Sequence, residues 1–397
     1  AMALIHPTLK IKPKEGKRAR AGSPWLFSNE IVVDAEIKKL EPGAAVNVVL
    51  DDGKPLGTAI FNPRTLIAAR LVSTDENAPL DVELFADKLR TALSLRERLF
   101  ATPFYRVIHA EADGLPGLIV DRYGDVICVQ MGATGMDTRT DIIVQAIRDV
   151  FAPASIVLRN DFHGRTMEGL TSETKLAYGP EPGEITFQEN GATFICDPMT
   201  GQKTGWFYDQ RANRAFAARF AKGTSVLDVF SHAGGFALAG LAAGATEAMC
   251  IDASEKALTL AGRAAEASGF ADRLNLRKAD AFEALEDMAA QGIKFGVVIA
   301  DPPAFAKSRK DIEPAARAYR KLARAAAGVV EPGGILLLGS CSHHIDPERF
   351  HTEAAAGIHA AKRPARLIRS AGADADHPVH PHLPETAYLK ALTFALD

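Results

Sequence analysis

The 397-residue chain reads as an α/β protein. A doubly wound, mostly parallel sheet is expected at its C-terminal end, preceded by a small β-rich domain and an α+β middle domain. Three observations predict this. From about residue 191, apolar strand segments alternate with alanine-rich helical stretches, a pattern that builds a parallel sheet with helices on both faces. Residues 1 to about 74 are instead short alternating segments cut by Pro42-Gly43, Asp52-Gly53 and Asn62-Pro63. Between them, helical and strand patterns are mixed, and a chain of this length exceeds one ordinary core. The expected boundaries are 1–74, 75–190 and 191–397.

Taken in order, "EPGAAVNVVLDDGKPLGTAIFNP" supplies the alternating strands of the first domain. After the linker "STDENAPLD", "VELFADKLRTALSLRERLF" carries Leu and Phe at helical spacing, and "TRTDIIVQAIRDVF" predicts a second helix beyond the strands "GLIVDRYG" and "VICVQM". The last domain has six strand segments: "SVLDVF", "EAMCID", "LNLRKAD", "FGVVIAD", "GILLLGSC" and "RLIRSA". The tail "ETAYLKALTFAL" adds a seventh, expected antiparallel at the sheet edge.

Composition narrows the function classes. Hydrophobic content of 47% with 24% charge is that of a folded globular protein. Four scattered cysteines without a C-x-x-C pair argue against a disulfide framework and a structural zinc site, and no metal is expected. No apolar run reaches the roughly eighteen residues of a membrane span, and the start lacks a signal-peptide core, so a cytoplasmic protein is expected. Ala1, ahead of Met2, reads as an added residue. The net charge of −3 does not advertise nucleic-acid binding. Between Lys10 and Arg20, however, six basic residues stand against one acid, Glu15. Such a run suits phosphate contacts or a solvated surface.

"VLDVFSHAGGFALAG" is a strand, a glycine turn and a helix, the junction where doubly wound sheets bind nucleotides. Neither a G-x-G-x-x-G fingerprint nor a P-loop is present. What remains is Asp228 at the first strand end, Phe230, Ser231 and His232 in the turn, and Gly234-Gly235 before the helix. Asp252 ends the second strand, followed by Ser254, where a carboxylate accepts ribose hydroxyls. Asp280 ends the third, beside Ala281 and Phe282, where it can meet an adenine amine. That set suits S-adenosylmethionine, whose sulfonium needs no pyrophosphate loop.

The fourth strand ends in Asp301-Pro302-Pro303 and the fifth in Cys341, flanked by Ser340 and Ser342. In the usual order of such sheets these strands neighbour the first, with tips about 5 Å apart. Amino-group methyltransferases carry an aromatic directly after the second proline; here Ala304 precedes Phe305, which weakens an exocyclic-amine target. A thiol suits a pyrimidine better. Thiolate addition to carbon 6 makes carbon 5 an enamine nucleophile toward a sulfonium methyl.

Together "GQKTGWFYDQRANR", "VLDVFSHAGGFAL", "DPPAFAKS", "GSCSH" and "DHPVHPHLPETAYLKAL" resemble the bacterial 23S ribosomal RNA large-subunit (cytosine-5)-methyltransferase I family. "GSPWLFSNEI" and "LGTAIFNPRTLIAARL" resemble its PUA RNA-binding domain, and "YRVIHAEADGLPGLIVDRYGD" its central domain. The resemblance covers essentially the whole chain. It implies a class I methyltransferase sheet, S-adenosylmethionine as methyl donor and 23S ribosomal RNA as partner. It also implies a loop over the cofactor at Lys203, Thr204, Gly205 and Phe207, with Arg211 nearby. Trp206 and Tyr208 stand where Phe and Leu are frequent in the family. Sister guanine-N7 enzymes lack a cysteine at the Cys341 position, which favours cytosine carbon 5. In related uridine-5 enzymes a glutamate serves beside the cysteine; "HPHLPETAYL" matches that segment loosely at Glu385. The proton acceptor is therefore Glu385 or Asp301. The rival readings are a guanine-N methyltransferase and a non-catalytic RNA-binding assembly factor; the sequence is silent on oligomeric state, with a homodimer one option.

Overall fold

The computed structural model describes residues 3–397, so Ala1 lies outside the described residues. The chain divides into two compact units. One comprises residues up to Gly183 with the segments Pro198–Trp206 and Ala375–Pro384; the other comprises Glu184–Asp197, Phe207–Asp374 and Glu385–Asp397.

The first unit holds two five-stranded sheets. Its N-terminal sheet is formed by Thr8–Lys10, Trp25–Phe27, Ala44–Val49, Pro55–Phe61 and Ile67–Ser73, around a core of Leu9, Ile11, Leu26, Val46, Val48 and Phe61. The second sheet carries the helices Val82–Leu99 and Thr140–Phe151, whose apolar faces bury Phe85, Leu89, Ile143 and Ile147. The expected β-rich start and α+β middle are both present.

The second unit is built on a seven-stranded sheet. In chain order its strands are Ser225–Val229, Glu247–Asp252, Leu274–Lys278, Phe295–Ala300, Val330–Ser340, Ala365–Ala371 and Lys390–Leu396. In space the order is third, second, first, fourth, fifth, seventh, sixth, with the seventh antiparallel to both neighbours. Alternate residues point to opposite faces. Leu227, Val229, Val298, Leu336 and Leu338 meet Leu285, Tyr319, Leu322, Phe350 and Ile358 from three helices in one core. Val226 points the other way, against Gly240 in the helix Gly235–Ala242. Helices therefore cover both faces.

Two expectations need correction. The seventh strand is interior rather than at the edge, and the sixth takes the edge. "KALTFAL" is buried at all but one position, whereas "ARLIRSA" is mostly exposed and carries Arg366 and Arg369. A strand apolar at five of seven positions, with Lys390 and Thr393 the exceptions, buries both faces, which an interior position allows. The fourth strand does neighbour the first, but the fifth neighbours the fourth, not the first. Among the described residues, no helix is long and apolar enough to cross a membrane.

Candidate active site

The turn after the first strand is held in an uncommon backbone shape. Phe230 and His232 both adopt left-handed φ angles, 60° and 51°, and Gly234 follows at 83°. Such angles cost roughly 1–3 kcal/mol for ordinary residues and persist where the surroundings over-determine them. Asp252 is one of those surroundings. Its Oδ2 accepts the His232 N–H and its Oδ1 the Ser254 N–H, each at 2.8 Å. A carboxylate has about four lone-pair positions, so acceptor capacity remains for two hydroxyls. Asp228 lies beneath the turn, 1% exposed, and accepts the Ala237 N–H at 3.0 Å. Burial pushes its pKa well up, and the charges of Asp301 and Asp252 push the same way. Burial holds the His232 imidazole down at about 4, so this ring is neutral near pH 7. The Phe207 ring meets it edge-on at 5.0 Å.

The other predicted residues of this half act partly as helix caps. The Ser254 hydroxyl accepts the Ala257 N–H, and Asp280 Oδ1 accepts the Glu283 N–H at 3.0 Å. Asp280 is exposed, next to buried Ala281 and half-buried Phe282. Arg211 pairs with Asp374 at 3.0 Å. Lys203, Thr204 and Gly205 belong to the first unit. There Thr204 is fully buried, its hydroxyl bonded to Asp121 Oδ2 at 2.6 Å and to the Tyr123 hydroxyl at 2.8 Å. Lys203 is exposed and Gly205 buried.

At the fourth and fifth strand tips, side chains take over. Asp301 is half-buried, and its Oδ2 accepts the Gln210 side-chain N–H at 2.9 Å. Gln210 Oε1 in turn accepts from Asn213, whose Oδ1 accepts from Arg369, both at 2.7 Å. A Cβ added at Gly339 would stand 2.4 Å from Asp301 Oδ1, so only glycine leaves that carboxyl its place. Cys341 is half-exposed, while Cys128, Cys196 and Cys250 are buried. Its sulfur lies 3.9 Å from the Pro302 carbonyl oxygen. The flanking serines, polar in the sequence, are both fully buried; the Tyr319 hydroxyl and Ser342 Oγ lie 2.6 Å apart. His343 and His344 are exposed in the outgoing loop, and the His343 ring lies 5.4 Å from that of Tyr388. Glu385 is exposed in the short turn Pro384–Thr386 that leads toward the seventh strand.

Sequence reasoning missed Gln210, Tyr319 and Lys390. Gln210 lies inside the quoted "YDQRAN" stretch, where an amide on a helix entrance gave no sign of its partner. Buried Lys390 does carry a signal: a lysine opening an otherwise apolar strand.

Residues 174–395 match the model of the S-adenosylmethionine-dependent methyltransferase family, over half of the chain. Residues 9–74 match a PUA-like domain. The glycine turn, the strand-tip carboxylates and this match define the class: the chain is an enzyme of the S-adenosylmethionine-dependent methyltransferases and uses that cofactor. Within the class it belongs to the family of proteins named ribosomal RNA large subunit methyltransferase I. Two such relatives carry the assignment. That of Shewanella denitrificans is 36% identical over 389 residues, covering 97% of this chain and 98% of the relative. That of Aliivibrio fischeri is 36% identical over 379 residues, covering 94% and 95%. The fold is that of a putative S-adenosylmethionine-dependent methyltransferase from Streptococcus mutans, at 22% identity and a TM-score of 0.81 over 98% of this chain and 100% of that one. A putative methyltransferase complexed with SAH matches with a TM-score of 0.83, again at 22% identity over 98% and 100%.

Proposed function

We propose that the chain methylates carbon 5 of a cytosine in 23S ribosomal RNA, with Cys341 as the nucleophile. The observation that carries this is the contrast among the cysteines: one of four is half-exposed, and it stands at the tip of the strand beside Asp301. The names of the relatives, ribosomal RNA large subunit methyltransferase I, support the substrate class. So do the PUA-like match and the exposed Lys10, Lys12, Lys14 and Lys17 around it. Arg18 and Arg20 are exposed too, bonded to the His382 carbonyl and to Asp51.

S-adenosylmethionine supplies an electrophilic methyl group. Asp252 holds the ribose hydroxyls, and the left-handed turn offers backbone around it. Cys341 thiolate adds to carbon 6 of a cytosine turned out of its stack, and the electron pair moves to carbon 5. Once carbon 5 is methylated, its proton passes to a carboxylate, and elimination of the thiolate restores the ring. Gln210 keeps Asp301 oriented by donating to its Oδ2. Asp301 or Glu385 is the proton acceptor.

Cys341→Ala is expected to abolish methyl transfer while S-adenosylmethionine binding persists. If Glu385 is the acceptor, Glu385→Gln should leave the protein covalently attached to methylated RNA on a denaturing gel. Accumulation with Asp301→Asn instead moves the role to Asp301. Normal turnover by Cys341→Ala would end the carbon 5 proposal and favour a guanine target.

A further inference from the structure

Strand pairing sets Lys390 opposite Ser340, one residue before Cys341. Lys390 is only 7% exposed, and its Nζ donates to the carbonyls of Ser342 and Ile345, both at 2.6 Å. Lysines are seldom buried unless paired, because an ammonium is costly to take out of water. Here both acceptors are neutral carbonyls, and both belong to the loop that carries the chain away from Cys341. The fold thus spends a buried cation on the thiol's own loop.

We infer that Lys390 is the positioning residue of Cys341: it clamps the 342–345 loop and sets a positive charge beside the sulfur that favours the thiolate. This rests on reading Cys341 as the nucleophile. The thiol proton leaves to solvent while the ammonium keeps its own. The Pro302 carbonyl, 3.9 Å from the sulfur, favours the protonated thiol, so a nearby cation is what opposes it. The other ionisable groups around this corner include His343 and His344, exposed in the same loop. Tyr319, from the helix Ile312–Ala327, has its pKa raised mainly by burial and stays neutral. Asp346 caps the helix Pro347–Ala360, and its charge supports the ammonium rather than the thiolate. Glu348 and His351 line the same pocket as Lys390. Burial lowers Lys390 to about 8, and the charges of Cys341 and Asp346 resist that shift. The ammonium is therefore present below about pH 8 and fades above it.

The test is the rate of Cys341 alkylation by iodoacetamide as a function of pH, with Cys341→Ala giving the background from the three buried cysteines. In the unaltered protein the midpoint is expected below the ordinary thiol value of about 8.5; a midpoint at or above it overturns the inference without any Lys390 variant. Lys390→Gln keeps hydrogen-bond donors and removes the charge. It should raise the midpoint by about one unit and slow alkylation at pH 7 about ten-fold, the lower end of what a close opposite charge does. Lys390→Arg should restore most of the shift, which a purely structural role would not require. Unaltered S-adenosylmethionine binding checks the fold of both variants. An unchanged midpoint in folded Lys390→Gln sinks the inference and leaves the proposed reaction standing. Full turnover by Cys341→Ala sinks the reaction, whereas the alkylation midpoint reports on the pair regardless.

Discussion

At the tips of the first and second strands polar groups are held by backbone, whereas at the tips of the fourth and fifth they are held by side chains brought from elsewhere in the chain. Asp252 ties the His232 N–H of the first strand's turn and the Ser254 N–H of its own, and the first turn holds two left-handed non-glycine residues. Asp301 leans on Gln210, and the Cys341 loop leans on Tyr319 and Lys390. The difference follows from what each half must do. A cofactor site common to a whole class can be made from strand-end geometry, because the same donor returns at every turnover. A nucleophile and a carboxylate acting on one atom of one base need finer placement, and long side chains locked by partners provide it.

The sharpest way to break this comparison is to crowd the side-chain half from its backbone. In Gly339→Ala the new methyl would lie 2.4 Å from Asp301 Oδ1 and 3.1 Å from its Cγ. The carboxyl must swing away, and with it the Gln210 bond. A displacement near 1 Å at a reacting group costs about 100-fold in rate. Single-turnover methylation by Gly339→Ala should fall by about that factor, while the cysteine still alkylates. A rate within a few-fold of the parent would show that Asp301 needs no fixed position.

The backbone half is probed by Asp252→Ala. Loss of a charged acceptor should weaken S-adenosylmethionine binding by roughly 1.5–3 kcal/mol. Part of that loss comes through the turn, because the His232 and Ser254 N–H groups lose their acceptor. Asp252→Asn, which retains one acceptor oxygen, should recover part of the affinity in calorimetry. Unchanged binding by a folded Asp252→Ala would remove this carboxylate from the site.

The same contrast explains what could be read from the residues alone. Strand-end acids, a glycine turn and a cysteine closing a strand are local patterns, so Asp228, Asp252, Asp280, Asp301 and Cys341 stand out without a structure. Their partners do not, because the bonds join residues far apart in the chain. Gln210 and Asp301 are 91 residues apart, Lys390 and Ser342 are 48, and Tyr319 and Ser342 are 23. Ser340 and Ser342 show the same limit: both are polar in the sequence yet buried, and Ser342 meets Tyr319. The place of the last strand was legible but misjudged, since "KALTFAL" is apolar at five of seven positions, on both faces, as an interior strand is.

The smallest expected effect falls on Asp280, where both descriptions meet. It lies two residues beyond the third strand and is exposed, and one carboxylate oxygen already caps the helix Ala281–Ala290. Serine caps a helix about as well as aspartate, so Asp280→Ser should change stability by no more than about 0.5 kcal/mol, whereas Asp280→Ala should lower it by about 1 kcal/mol. The serine variant therefore isolates the carboxylate's second oxygen. If that oxygen accepts the adenine amine, S-adenosylmethionine affinity should drop about five-fold in Asp280→Ser with the melting temperature unmoved, the scale of one modest hydrogen bond. If affinity holds in both variants and only Asp280→Ala melts earlier, Asp280 serves the helix alone. The backbone-built half would then read its cofactor through Asp252 and the left-handed turn, and the third strand tip would belong to the fold rather than to the site.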